Sequence, residues 1–333
     1  MDTALIILIA SVSLALVFDF INGFHDSANA IATVVSTKVL SPKAAVIMSS
    51  LLNLAGALMG TEVAATIGKG LVDTSSITIG TILCTVVSAI VWNLITWYKG
   101  LPSSSSHALI GSLIGATVAS GCSWDSIKLD QLVEKVIIPM VLSPVFGIIF
   151  GFAIMLALTW MFYKWPLGRT NSLFGRLQLI SAGFMALNHG QNDAQKSMGI
   201  IALALMLLHP GQAFQVPFWV KLACAAAMCF GTMSGGWRII RTLGTKVIKL
   251  QPIHGFAAET AASLIIAGAS HFGIPLSTTH VISSSIMGVG AAKRFSSVHW
   301  SVVGNIVWAW VLTIPITFVL SAIIMKGYGV VCH

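Results

Sequence analysis

The chain has 333 residues, of which 56% are hydrophobic and only 8% charged, with a mean hydropathy of +0.91. A soluble domain carries about 25% charged residues, so a soluble enzyme, a nucleic-acid-binding module and a disordered protein are all excluded. The net charge of +8 requires no nucleic acid, because basic cytoplasmic loops give membrane proteins this balance.

Apolar stretches fall at 4–37, 44–60, 77–98, 107–119, 136–163, 173–208, 217–235, 254–273, 280–292 and 299–325. Their solvent is a lipid bilayer. At about 1.5 Å per residue the first and sixth exceed one plain crossing, and they are expected to break around a polar motif. The 107–119 and 280–292 stretches are short and follow polar turns, which predicts re-entrant or half-helices. The five cysteines are odd in number and show no metal-type spacing, so they read as small core residues. Met1-Asp2-Thr3 carries no basic n-region, and no cleaved leader is expected.

Charge sets the orientation. With the N-terminus outside and one net crossing per stretch, inside loops, counted with Arg176 at the inner edge of the sixth stretch, hold twelve of the eighteen Lys and Arg, from Lys38 and Lys43 to Lys293 and Arg294. The opposite orientation would place them outside, against the positive-inside bias. The basic 238–249 segment is expected to be an inside loop and its counterpart 61–76 an outside one. The expected location is the plasma membrane, multi-pass, with both termini outside.

The chain repeats itself. Five stretches precede the basic linker 164–172 and five follow it, so the second half enters the membrane from the opposite side. Gly100-Leu-Pro-Ser-Ser-Ser-Ser-His107 matches Gly273-Ile-Pro-Leu-Ser-Thr-Thr-His280, and a weaker match pairs Asp26 with Asp193. The expected fold class is an all-α polytopic membrane protein of two inverted-topology repeats with broken or re-entrant helices. The units are 1–163, the linker 164–172 and 173–333. Inverted repeats with a midplane site between them are a secondary-transporter architecture.

Four acids lie within the apolar stretches: Asp19, Asp26, Asp193 and Glu259. Each costs about 2.5–3.5 kcal/mol at the bilayer centre, so each reads first as part of a site or pathway. Asp26 and Asn29 are three apart and share a helix face, as do Asp193 and Lys196, which could pair. Carboxylate and amide oxygens, that of Asn192 included, suit hard cations or protons, while Asn29, Gln195 and Lys196 are expected to contact the anion. His25 and His189 could relay protons. Ser104, Ser105 and Ser106, like Ser277, Thr278 and Thr279, follow a Pro and open an apolar helix. Two such helix starts facing each other make a donor-rich cage for an oxyanion. An oxyanion beside two carboxylates is repelled by several kcal/mol at low dielectric, so cations or protons must arrive with it.

These residues resemble the inorganic phosphate transporter (Pit) family, bacterial low-affinity type, over nearly the whole chain. The matching stretches are Gly23-Phe-His-Asp-Ser-Ala-Asn-Ala30, Leu101–His107, His189-Gly-Gln-Asn-Asp-Ala-Gln-Lys196, Gly231–Arg238, Glu259-Thr-Ala-Ala262 and Pro275–Val281. The resemblance implies a phosphate symporter with phosphate contacts from the Ser/Thr clusters and essential roles for Asp26, Asp193 and Glu259. Animal sodium-coupled members carry a Glu where this chain has Ala65, before Thr66-Ile-Gly-Lys-Gly70. The His25-Asp26 form is more similar to bacterial proton-coupled members, which carry phosphate together with a divalent metal. No resident cofactor is expected. The co-transported ion is a proton or sodium, and a homodimer is an open possibility.

Two other readings compete. One is a permease for another oxyanion, such as sulfate, which carries no proton at neutral pH and cannot donate to a carboxylate. The other is an intramembrane hydrolase built on Ser106–His107 or His25–Asp26. Adjacent helical residues point about 100° apart, which makes a poor nucleophile–base pair.

Overall fold

In hydrocarbon, backbone groups find no water and must bond one another, so helices are the open solution for these sequences. The computed structural model describes residues 3–122, 124–208 and 213–332. Among these residues the only β pairing is one isolated bridge, Val72 to Ile127. The leader expectation rests partly on Met1 and Asp2, which lie outside the described residues.

The first half runs α1 (Thr3–Ser36), α2 (Pro42–Ala57), α3 (Glu62–Ala65), α4 (Ile79–Lys99), α5 (Ser105–Ala119), α6 (Leu129–Leu132) and α7 (Ile138–Phe162). The second runs α8 (Leu167–Leu208), α9 (Phe218–Ser234), α10 (Trp237–Arg241), α11 (Pro252–His271), α12 (Thr278–Lys293) and α13 (Trp300–Cys332). Each half presents the same order: a long helix, a bent pair, a straight helix, a short helix and a long helix. The bends are 63° between α2 and the α3 segment, and 59° between α9 and the α10 segment. Both second arms end in a π-turn, Thr66–Gly70 and Thr242–Lys246.

Two expectations are corrected. The first and sixth stretches do not break: α1 is one helix of 34 residues and α8 one of 42. The polar residues of α1 explain this. Asp19, Asn22, Asp26, Asn29 and Thr33 recur every three or four residues on one buried face. They escape lipid by facing other helices, so the backbone need not open. The breaks fall at Leu58–Thr61 and Gly235–Gly236, where Gly60 and Gly235 supply positive φ values of 89° and 70°. Second, the basic 238–249 segment and its counterpart 61–76 are not plain loops, because their first parts are the second arms of the bent pairs, with Ile239, Leu243, Val63 and Ile67 buried. Within the linker 164–172, α8 already begins at Leu167. The short stretches do form short helices, α5 with 15 residues and α12 with 16.

The halves pack by exchange. Helix α1 lies on α9 and α8 on α2, while α5 lies on α13 and α12 on α7. Glycines allow the closest crossings. A Cβ on Gly23 of α1 would stand 2.5 Å from the Met228 carbonyl oxygen of α9. At the matching place in the other half, a Cβ on Gly190 would stand 2.2 Å from the Asn53 carbonyl oxygen of α2.

Candidate functional site

The site forms where the starts of α5 and α12 meet α1 and α8. Ser104 and Ser277 are the N-caps, each accepting a bond of 3.2 Å from the backbone N–H of His107 or His280. The two starts are brought together, since the rings of His107 and His280 meet edge to face at 4.8 Å. His280 also stacks on Trp310 at 4.1 Å. Sequence reasoning considers His107 only within the hydrolase reading and passes over His280, although their duplication in the repeat is a usable signal.

The next hydroxyls turn to the two aspartates. Ser105 donates to Asp26 Oδ2 at 3.1 Å, and the equivalent Thr278 donates to Asp193 Oδ2 at 3.0 Å. Thr279 crosses between halves to Asp26 Oδ1 at 3.2 Å. Asn29 donates from Nδ2 to Thr279 at 2.9 Å and Thr278 at 3.3 Å. Ser106 instead donates to the Leu276 carbonyl at 2.8 Å.

Each aspartate has basic company. His25 Nδ1 lies 2.8 Å from Asp26 Oδ1, and its Nε2 lies 3.0 Å from the Thr96 hydroxyl. Lys196 donates to Asp193 Oδ1 on the same face of α8. His189 Nε2 lies 3.2 Å from Asp193 Oδ2, one turn away, and Nδ1 pairs with Asn53. Asp26, Asp193, His25, His189 and Lys196 are all at most 2% exposed. One ligand atom each from Asp26, His189 and Asp193 lies within 4.8 Å of the others. Two carboxylates and one lysine leave a net negative charge, which a further anion would worsen.

Three candidates stand apart from this centre. Gln195 caps the start of α3: its Oε1 accepts from Val63 N–H at 2.8 Å and from Ala64 N–H, while Nε2 donates to Met59 O. Its polar atoms are thus engaged at the bend. The Nδ2 of Asn192 turns to the Ser270 hydroxyl at 2.9 Å. Glu259, on α11, accepts from Thr33 at 2.5 Å, from Gln178 at 3.0 Å and from Ser181. Thr33 lies one turn beyond Asn29 on α1, so the Glu259 network continues the polar face of that helix. Gln178 accepts from Thr37 at 2.8 Å. Thr37 in turn lines a cavity of about 470 Å³ with Lys38, Lys249 and Gln251.

An all-α bundle of two matching halves, with buried acids where two helix starts meet, defines a polytopic membrane transporter and not an enzyme. Residues 22–321 match the phosphate transporter family. The chain is 46% identical over 327 residues to a probable low-affinity inorganic phosphate transporter of Bacillus subtilis, covering 97% of each. It is 45% identical to one of Rhizobium meliloti, covering 95% of each. A solved structure, of a protein described as the sodium-dependent phosphate transporter, superposes with a TM-score of 0.86 at 22% identity, covering 97% of this chain and 99% of the other. That likeness is one of fold. The chain belongs to the phosphate transporter family.

Proposed function

We propose that this protein imports inorganic phosphate across the plasma membrane by symport with protons, between two inverted repeats at 1–163 and 173–333. The observation that carries the reading is the capture of the helix-start donors by the two aspartates: Ser105 and Thr279 on Asp26, and Thr278 on Asp193. An ionised carboxylate only accepts hydrogen bonds, whereas a protonated one can donate. Protonation of Asp26 or Asp193 therefore does two things. It removes a charge that would repel phosphate, and it releases hydroxyl donors that turn to the phosphate oxygens. Protein donors to a charged oxygen are worth about 1.5–3 kcal/mol each. Binding of phosphate and of protons becomes mutually dependent, which is what symport requires.

Lys196 stays with Asp193 and limits the excess negative charge. His25 and His189 contact the two aspartates and can pass protons to them. A divalent metal travelling with phosphate would find oxygen and nitrogen donors on Asp26, His189 and Asp193. Sulfate lacks the proton that lets phosphate donate to a carboxylate, so this centre favours phosphate. The similarity of the bacterial relatives, named for inorganic phosphate, supports the same substrate.

The test is uptake of labelled phosphate into liposomes with pH and sodium gradients imposed separately. Uptake that rises with an inward proton gradient and collapses with a protonophore is expected. Uptake that follows the sodium gradient and ignores pH would replace the proton with sodium.

A further inference from the structure

Two turns before Asp26, α1 carries a second acid with no role in the centre described above. Asp19 is fully buried, and neither carboxylate oxygen has a hydrogen-bond partner. The Ser197 hydroxyl and the Cys224 thiol lie beside it, and Asp193 and Lys196 are the charged groups that reach it. Ser197 is 1% exposed and its hydroxyl is also without a partner. Asn22, one turn on from Asp19, has both side-chain polar atoms unpartnered at 0% exposure.

Helix α4 adds the other wall. Ile7 and Ile79 line one cavity, the rings of Phe24 and Trp97 meet at 5.3 Å, and His25 bonds Thr96. Helices α1 and α4 therefore run side by side in the same direction. The same offset brings Asn22 level with Asn93, whose two side-chain polar atoms are likewise buried and unpartnered. Five buried oxygens that make no hydrogen bond thus lie along this one turn of α1 and the helices beside it: two from Asp19 and one each from Asn22, Asn93 and Ser197.

Such a group is costly when empty, because each unmade bond of a buried polar atom costs about 1–3 kcal/mol and more for a charge. Oxygen donors with one formal negative charge suit a hard cation of charge +1. A divalent ion would leave an unbalanced positive charge at low dielectric, and an anion would meet Asp19 directly. We propose that Asp19, Asn22, Asn93 and Ser197 hold one hard monovalent cation, sodium or hydronium, as a waiting position on the route to Asp26 and Asp193. The proposal rests on the symport reading. The polar face of α1 continues from this position through Asn22 to Asp26, so a cation released from it need not cross apolar surface.

The experiment uses the full chain in liposomes and measures phosphate uptake against sodium concentration at fixed pH, and against pH without sodium. Asp19→Asn removes the charge, while Asn93→Leu and Ser197→Ala each remove a neutral ligand. Each variant is expected to need about tenfold more of the coupling cation for half-maximal uptake, equal to about 1.4 kcal/mol. The rate should recover when that cation is raised, which a merely structural loss would not give. The arm that shifts, sodium or pH, identifies the cation. Should Asp19→Asn fail to fold, the two neutral variants read the same quantity. Wild-type cation dependence in the folded variants overturns the waiting position alone. Wild-type protein that follows neither gradient overturns the symport reading, and this proposal with it.

Discussion

The hydroxyl of Thr66 donates to the carbonyl of Gly273 at 2.7 Å, reaching from the bent pair of the first half to the turn that launches α12 in the second. The relationship is reciprocal. Thr242, at the same place in the second half, donates to Gly100 at 2.9 Å, before α5. Both glycines adopt positive φ, 65° and 66°, which lets the chain turn into the Pro-led helix start. Each half thus holds the approach to the other half's contribution to the site.

These two bonds make a prediction. Thr66→Val and Thr242→Val keep shape and remove a hydroxyl donor that each shares between the cross-half carbonyl and the carbonyl one turn back, so each should lower stability by about 0.5–1.5 kcal/mol. The contacts share no residue, so the double variant should lose the sum. Thermal unfolding in detergent measures this. A Tm unchanged in both single variants would show that the bonds hold nothing.

Asp26→Asn and Asp193→Asn should each abolish gradient-driven phosphate accumulation while the protein still inserts and folds. The amide keeps the size of the side chain and removes the charge on which Ser105, Thr278 and Thr279 converge. Liposome uptake with size-exclusion profiles as the folding control tests this. Wild-type accumulation in either variant would remove that acid from coupling.

The hydroxyls should divide by position. Ser105→Ala, Thr278→Ala and Thr279→Ala each remove a donor from the centre. Each should weaken phosphate binding by about 1.5–3 kcal/mol, or about ten- to over a hundredfold in Kd. Ser106 spends its hydroxyl on Leu276 O, so Ser106→Ala should weaken binding less. Ser104→Ala and Ser277→Ala remove N-caps and should cost about 1 kcal/mol of stability. Equilibrium binding and unfolding measured on the same six variants would expose any exchange of these roles.

Gly23→Ala and Gly190→Ala insert a methyl where the facing backbone oxygen stands 2.5 and 2.2 Å from the new carbon. Overpacking of this kind costs about 1–3 kcal/mol. Both variants should lower the yield of folded protein and the Tm, and wild-type values would mean that the helices separate freely.

Orientation is tested from outside the cell. Asp73 and Arg241 are both exposed and follow equivalent bends. Asp73→Cys should react with an impermeant thiol reagent in intact cells, and Arg241→Cys only after permeabilisation. The reverse pattern would invert the protein in the membrane.

Much of this protein was legible in its sequence because its solvent punishes exceptions. Hydropathy marked the apolar helices, and duplicated polar motifs marked Asp26, Asp193 and the two hydroxyl-rich helix starts. Their cost in hydrocarbon makes polar residues informative wherever they recur. Breaks were misplaced for a related reason: polar residues inside a long apolar run suggested opened backbone, whereas their spacing on α1 let one continuous helix hide them all.

What the sequence determined by itself was a membrane-spanning chain of two similar halves with acids and hydroxyls inside. Only the tertiary structure decided which of them meet. Thr279 reaches Asp26 across the two halves, while Gln195, two residues from Asp193, turns away to cap α3. Glu259 is held by Thr33 and Gln178 away from the two aspartates. The physical reason is that helical spacing fixes which side chains share a face on one helix, whereas the exchange of packing partners between halves fixes what each face meets.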